Sequence, residues 1–455
     1  MRALAPAVAL LVVLSGVAAA VPAPSAAPDD AAGAAAPTTS SPDSALSTPL
    51  APAQMDSGST NDTADTEPNV LTIPPGETSR SGVELEAAEL GSGLAFESSS
   101  TELRLSTGEV IERIEATESD ERRQQLLLQE VSTIEQRVVS LRAQQRQAIE
   151  AYAEGELTQR ELLYELAEID AEARELEDRR ERIETVVEST PGLSISSSRF
   201  GNIELELNTL TGPVRGHAAA VLTGEADSTR FFVQTGPDSV ALGMLRDGTY
   251  VREVYREPLR GDDDGEFTLS DAVNITEAAY PTIAAERLRD DTRGSPGSDS
   301  ARVTIEHRRG RLVAFVDSGS RQVFKEFQYR PLDQVSPNSS VSATRDGLNL
   351  TAHRTYPGGP TRLQLNSTDD GEPVDARITV GPPDGRSSVV GETGDDGSLW
   401  TIAPTGTYQV TAIDENSVVV LSVDPTRAPA VYGATDDGSG DDRDAVETTT
   451  TNATG

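Results

Sequence analysis

The 455-residue chain contains no cysteine, only three histidines and one tryptophan, and a single lysine, Lys325. Without thiols there can be no disulfide framework, no cysteine-ligated metal or cluster site and no thiol nucleophile. Positive charge is also scarce: 38 Lys+Arg stand against 75 Asp+Glu, a formal net charge of −37. Binding phosphates requires a basic face, so nucleic acid is not expected as a partner. Neither a Gly-x-Ser-x-Gly nucleophile elbow nor a phosphate-binding glycine loop occurs. His217, His307 and His353 fall in separate segments without ligand spacing, which favours structural roles over metal binding. Asp262-Asp263-Asp264-Gly265-Glu266 lacks the alternating ligands of a calcium loop and reads as a solvated loop. Among so many carboxylates a pair suited to glycoside hydrolysis is conceivable, but nothing marks two of them. The sequence therefore predicts no catalytic residue, no cofactor and no metal site.

Carboxylates in this excess repel one another in dilute buffer, whereas molar salt shortens the screening length to about 3 Å. An acid-rich, lysine-poor composition resembles the proteins of haloarchaea, so the charge is read as adaptation to the solvent. Residues 1–21, with Arg2, an apolar run from Ala7 to Val17 and Ala18-Ala19-Ala20, read as a signal peptide. Its apolar length is near the minimum for a span, so a membrane location is expected only if this segment stays uncleaved. Residues 22–68, built from Ala, Pro, Ser, Thr and Asp, cannot bury enough surface to offset ordering entropy and are expected to form a disordered stalk. An acidic tail, 426–455, is expected to be disordered as well. Six Asn-x-Ser/Thr sequons, at Asn61, Asn274, Asn338, Asn349, Asn366 and Asn452, are candidate N-glycosylation sites in an exported chain.

After an irregular lead-in, 69–107, residues 108–190 predict a helical hairpin. Ser106-Thr107-Gly108-Glu109 has capping-box spacing. Leu127, Val131, Ile134, Val138 and Leu141 follow the 4-3-4-3 spacing of a coiled-coil seam. Gly155 interrupts it, Thr158-Gln159-Arg160-Glu161 offers a second helix start, and Leu162, Leu166, Ile169, Ala173, Leu176, Ile183 and Val187 restore the seam. Such a hairpin serves either as a rigid spacer or as a surface for a partner or for self-association, with Gln145 and Arg180 setting register.

Residues 193–335 read as an α+β region. Ile203, Leu205 and Leu207 alternate as in a strand, although a helical turn also fits. An Ala-rich helix reaches Leu222, and strands follow at 230–234, 240–245 and 250–255, with Asp247-Gly248 as a turn. A helix from Ser270-Asp271 to about Arg289 precedes three more strands, at 302–306, 312–316 and 322–329. Met244-Leu245-Arg246-Asp247-Gly248 with Val251-Arg252-Glu253-Val254-Tyr255 parallels Phe315-Val316-Asp317-Ser318-Gly319 with Val323-Phe324-Lys325-Glu326-Phe327, as two αβββ repeats would. The order of elements weakly resembles PepSY-like modules, which implies regulation of secreted proteases.

Residues 338–425 carry regularly spaced short strands with Gly, Pro and Asp between them, the pattern of a β-sandwich. Gly371-Glu372-Pro373-Val374-Asp375-Ala376-Arg377-Ile378, Thr393-Gly394-Asp395-Asp396-Gly397-Ser398-Leu399-Trp400 and Pro404-Thr405-Gly406-Thr407-Tyr408 resemble a transthyretin-like or carboxypeptidase-regulatory-like module. In that reading Asp396-Gly397 makes a tight hairpin, and Trp400 and Tyr408 fill the core. The whole order, with Asn69-Val70-Leu71-Thr72-Ile73-Pro74 and Tyr152-Ala153-Glu154-Gly155-Glu156-Leu157, is similar to an uncharacterised haloarchaeal exported protein family with a coiled-coil hairpin.

The expected fold is thus multi-domain: a long α-helical coiled-coil hairpin, an α+β region and a C-terminal all-β sandwich. The expected function is non-enzymatic: an exported cell-envelope or extracellular structural or protein-interaction protein of a halophile, whose protein partner the sequence does not name. The alternatives are a secreted regulator or inhibitor of an extracellular protease, acting through the PepSY-like units, and a carbohydrate-active enzyme.

Overall fold

The computed structural model describes residues 67–261, 267–294 and 298–432. The expected signal peptide, nearly all of the stalk, the acidic run 262–266 and the tail beyond 432 lie outside the described residues.

The lead-in is ordered, contrary to expectation. It contains strand β1 (Arg80–Glu86) and most of helix α1 (Leu90–Glu115). The capping signal at Ser106 falls inside α1, because Phe96, Thr107, Val110 and Ile114 form one buried stripe that carries the helix through it. Helices α2 (Asp120–Glu154) and α3 (Gln159–Ser189) follow as the sequence predicts. Gly155, at φ 83°, closes α2 in the left-handed conformation that glycine adopts without a Cβ penalty. Thr158 and Glu161 form the capping box of α3.

Most of the predicted seam packs as one cluster, with Leu127, Val131, Ile134 and Leu141 of α2 against Ile169, Ala173 and Ile183 of α3. These helices are not a free-standing coiled-coil hairpin, however. Helix α4 (Ser197–Leu210) and α1 close over the same seam through Phe200, Ile203, Leu207, Val110 and Ile114. The strand-like alternation of Ile203, Leu205 and Leu207 is misleading: all three are buried in a helix enclosed on more than one side. At the other end, Ile149, Tyr152, Leu162 and Leu166 pack with helix α5 (Pro213–Thr223) on a sheet.

That sheet has eight strands: β1, β2 (Thr229–Gly236), β3 (Ser239–Arg246), β4 (Thr249–Arg256) and, beyond helices α6 (Leu269–Ala279) and α7 (Pro281–Ala285), β5 (Arg287–Arg293), β6 (Ser300–His307), β7 (Gly310–Asp317) and β8 (Val323–Pro331). Its order is β1-β2-β3-β4-β8-β7-β6-β5, antiparallel throughout. Helix α3 crosses the strands. Gln159 Nε2 donates to Phe231 O of β2 at 3.1 Å, and Glu177 lies in the electrostatic surroundings of Arg302 on β6. Eighteen residues of helix span roughly 27 Å at 1.5 Å per residue. Five strand steps span about 24 Å at the usual spacing, so the helix matches the breadth of the sheet it covers.

Two three-stranded meanders, β2-β3-β4 and β6-β7-β8, meet at β4 and β8. The helices before them argue against duplication. Helix α5 packs on the face carrying Phe231, Leu242 and Met244, whereas α6 and α7 pack on the opposite face with Phe232, Ala241 and Val303. A two-fold rotation normal to the sheet superposes the meanders but leaves each helix on its own face, so it cannot relate two αβββ units. The predicted long helix to Arg289 is likewise divided. It breaks at Tyr280-Pro281, where proline removes a helical donor, and Arg287–Arg293 forms the exposed edge strand.

The sandwich comprises β9 (Ser339–Arg345), β10 (Leu348–Arg354), β11 (Pro360–Ser367), β12 (Arg377–Gly381), β13 (Ser388–Glu392), β14 (Ser398–Ile402), β15 (Tyr408–Asp414) and β16 (Ser417–Val423). Its sheets are β14-β11-β10-β9 and β13-β12-β15-β16, enclosing Leu350, Leu363, Ile378, Val410 and Leu421. Tyr408 is in this core as expected, but Trp400 is only half-buried and outside it. Asp396-Gly397 does not make a hairpin within one sheet; its turn carries the chain between the two sheets.

Candidate functional site

Neighbouring residues of a strand face opposite sides. Arg252-Glu253 on β4 and Lys325-Glu326 on β8 therefore place one charge each on both faces of the sheet, at its central strand pair. All four are buried.

On the helical face, the Glu253 carboxylate accepts from Val214 N at 3.0 Å, Arg215 N at 3.4 Å and Arg215 Nε at 2.7 Å. The two amides belong to the first turn of α5, where backbone N–H groups lack helical partners and the dipole favours an anion. Gly212 fits against the same carboxylate: a Cβ there would approach Glu253 Oε2 to 2.0 Å. Arg215 Nη1 donates onward to Gln145 Oε1 at 2.8 Å and Leu210 O at 2.9 Å. Gln145 is thus a buried acceptor that joins α2 to α5, and Arg180 is held by Glu177 and Glu184 on its own helix. Both are thus engaged by partners within the chain, where the sequence suggested a role in setting register. Lys325 Nζ donates to Thr209 O at 2.5 Å and Thr211 O at 2.7 Å, with the Phe327 ring 5.0 Å away. Burial, reinforced by the Arg215 charge, drives its pKa well below the ordinary lysine range. An amine-directed acylating reagent in molar salt is therefore expected to leave Lys325 unmodified in the folded chain and to modify it after unfolding. Peptide mapping checks this, and modification of Lys325 in the folded protein would contradict its burial.

On the opposite face, Glu326 pairs with Arg252 and accepts from Tyr280 OH at 2.6 Å and from Leu71 N at 2.9 Å. Burial raises its pKa despite these partners. Arg330 binds Glu67, and Gln328 Nε2 donates to Asn69 O at 2.9 Å. Tyr250 OH donates to Gly358 O of the sandwich at 2.6 Å. The central strands thereby hold α5 on one side and the segment 67–71 and the sandwich on the other.

The three histidines do not converge, and among the described residues no group of three His, Asp or Glu could hold a metal ion. His307 is buried near Arg330, Arg309, Glu286 and Glu306; burial and the Arg330 charge lower its pKa from 6.5 to about 4. His217 and His353 are also shifted down, mainly by burial. An unfolded imidazole takes up its proton near pH 6.5, while folded His307 does so only near 4, so stability is lost as pH falls through that window. The raised pKa of Glu326 acts in the other direction. Replacing His307 by Gln is expected to flatten the decline between pH 6.5 and 4 in chemical denaturation, and an unchanged slope would contradict the assignment.

A hollow of about 280 Å³ lies between β1–β2 and the sandwich. Phe232 and Ile402 contribute apolar surface, and Arg230 and Arg386 stand at its wall. Ser81 Oγ and Thr405 Oγ1, 2.5 Å apart, join its two sides. A wider and more open hollow, about 420 Å³, includes Arg246, Asp247, Glu306 and Arg311.

The sequons are sorted by their surroundings. Asn61 and Asn452 lie outside the described residues. Asn274 is exposed on α6, but the Thr276 of its sequon is fully buried and donates to Ala272 O at 2.8 Å. Asn338 is exposed and donates to Thr355 O at 3.2 Å. Asn349 and Asn366 are cross-strand partners on β10 and β11. Of the two, Asn366 opens directly into the exposed turn 368–371.

Residues 1–227 match a domain of unknown function, DUF7096, residues 231–336 a family of unknown function, DUF7094, and residues 339–421 an archaeal fibronectin-III type-like domain. The last replaces the transthyretin-like resemblance as the description of the sandwich. The boundary between the first two divides the eight-stranded sheet, leaving β1 in one and β2–β8 in the other, so the two regions share one body. No curated protein and no solved structure matches the chain. Among the described residues, no helix is long and apolar enough to cross a membrane. Together the three matches identify an archaeal family of unknown function with a C-terminal β-sandwich.

Proposed function

We propose that the protein is exported to the surface or surroundings of a halophile and acts there as a non-catalytic protein-interaction protein, with its body carried on the N-terminal stalk. One observation supports this most: the chain enters and leaves the body at one place. Val70 N donates to Pro429 O at 2.9 Å, and Val431 N donates to Val70 O at 3.0 Å. Val70 and the stretch 429–431 therefore lie side by side on the body, and the surfaces away from them are available for a partner. The excess of carboxylates supports operation in concentrated salt, where their repulsion is screened. Self-association through the helical seam is not part of this reading, since the seam is filled by α1, α4 and α5. Protease regulation by tandem αβββ units loses its premise, because the helices lie on opposite faces.

Protease treatment of intact cells in molar salt tests the location. The expected result is cleavage within the stalk and release of a folded body that retains a specific cross-linking partner from the envelope. Full protection inside intact cells would overturn export, and a released body that hydrolyses envelope polymers would overturn the non-catalytic reading.

A further inference from the structure

We propose that the hollow between β1–β2 and the sandwich is a binding site for an acidic sugar residue, a polyol ring bearing a carboxylate or a sulfate. The inference goes beyond the proposed function and does not depend on export. Its first support is charge. None of the residues lining the hollow is Asp or Glu, in a chain with 75 of them, Asp424 standing behind Thr407, and two of the lining residues are arginines. No ion pair to Arg230 or Arg386 is present among the described residues. Arg230 uses Nη2 to hold Val389 O at 2.7 Å, while its Nη1 has only a long, 3.4 Å contact with Ser388 Oγ. Burial lowers the pKa of this guanidinium with no carboxylate to offset it. An anion placed beside it would supply that missing charge, in the charge-assisted geometry that arginine favours.

The second support is the chemistry of the walls. Phe232, Val83 and Ile402 give an apolar surface suited to the C–H face of a sugar ring, whereas Ser388 offers a hydroxyl donor and Thr407 Oγ1, which donates to Asp424 Oδ1 at 2.9 Å, keeps its capacity to accept. The volume, about 280 Å³, is at the lower end for small-molecule sites and suits one ring rather than a long chain. The Ser81–Thr405 contact fixes the two walls before a ligand arrives, which limits the ordering loss on binding.

The test is a titration of the full chain, in molar salt, with sodium glucuronate, glucose 6-sulfate and neutral glucose, followed by ligand-observed NMR and calorimetry. At least one of the two anions is expected to bind roughly tenfold tighter than glucose, the usual scale of a charge-assisted contact. Which anion is preferred distinguishes the carboxylate source from the sulfate. Arg386→Gln, at an exposed position, should weaken the preference for the anion without altering thermal unfolding, and Arg230→Gln should abolish it. Equal binding of all three sugars, binding by none, or anion preference retained in both variants would each overturn the proposal.

Discussion

Replacing Glu326 by alanine is expected to destabilise the protein by about 3–5 kcal/mol, the usual loss when one partner of a buried ion pair is removed. The carboxylate is fully buried and serves four groups: the Arg252 guanidinium, Tyr280 OH, Leu71 N and, more weakly, Gln328 Nε2. Removing it leaves a buried charge unpaired and a buried amide without an acceptor. Glu326→Gln should cost less, because its amide oxygen still accepts from Leu71 N or Tyr280 OH, but it leaves Arg252 uncompensated. The effect should not be confined to one face: hydrogen exchange should accelerate at 69–73 and at the start of α5 together. Denaturant titration of the variant in molar salt measures the loss, and a change below about 1 kcal/mol would contradict a central role for this carboxylate.

Glu253→Ala is expected to produce a loss of similar size from the opposite face, again about 3–5 kcal/mol. Here the carboxylate combines two tasks. It neutralises Arg215, which is fully buried, and it accepts from Val214 N and Arg215 N in the first turn of α5. Its removal leaves the Arg215 charge facing Lys325, whose pKa is already depressed partly by that guanidinium. Arg215→Met should therefore add less in the Glu253→Ala background than in the wild type, with a coupling of roughly 1–3 kcal/mol across the double-mutant cycle. Strict additivity would mean that the two side chains do not act together. Exchange should accelerate at 214–216 and at 69–73 together, as for Glu326.

These effects explain which parts of the protein could be read from sequence. The α2–α3 turn was legible because Gly155 and the Thr158/Glu161 box act locally, and their geometry depends on no distant residue. Most sandwich strands were legible for a similar reason: one face of each is buried, so alternation survives in the sequence, whereas β13 has no buried residue. Helix α4 was obscured because several sides of it are covered, so its buried residues no longer follow one helical stripe. The start of α1 has no side-chain cap hydrogen bond, and a Ser-rich stretch hides its buried face. Arg252-Glu253 and Lys325-Glu326 are present in the sequence as adjacent charges within strand segments, but their meaning depends on topology. On an edge strand they would be solvated; on the central strands of a sheet covered on both faces they must find internal partners. The hollow at the sandwich was invisible because it joins residues from β1, β2 and the sandwich, more than 300 positions apart at the Ser81–Thr405 contact.

The central claim is that the β4–β8 pair couples both faces of the sheet, so that α5, the segment 67–73 and the central strands open together. Native-state hydrogen exchange across a denaturant series in molar salt measures this directly. The account predicts that amides at 69–73, at 214–216 and in 251–255 and 324–328 converge on one opening free energy. Exchange of either 69–73 or 214–216 through a separate, lower-energy opening while the central strands stay protected would contradict it.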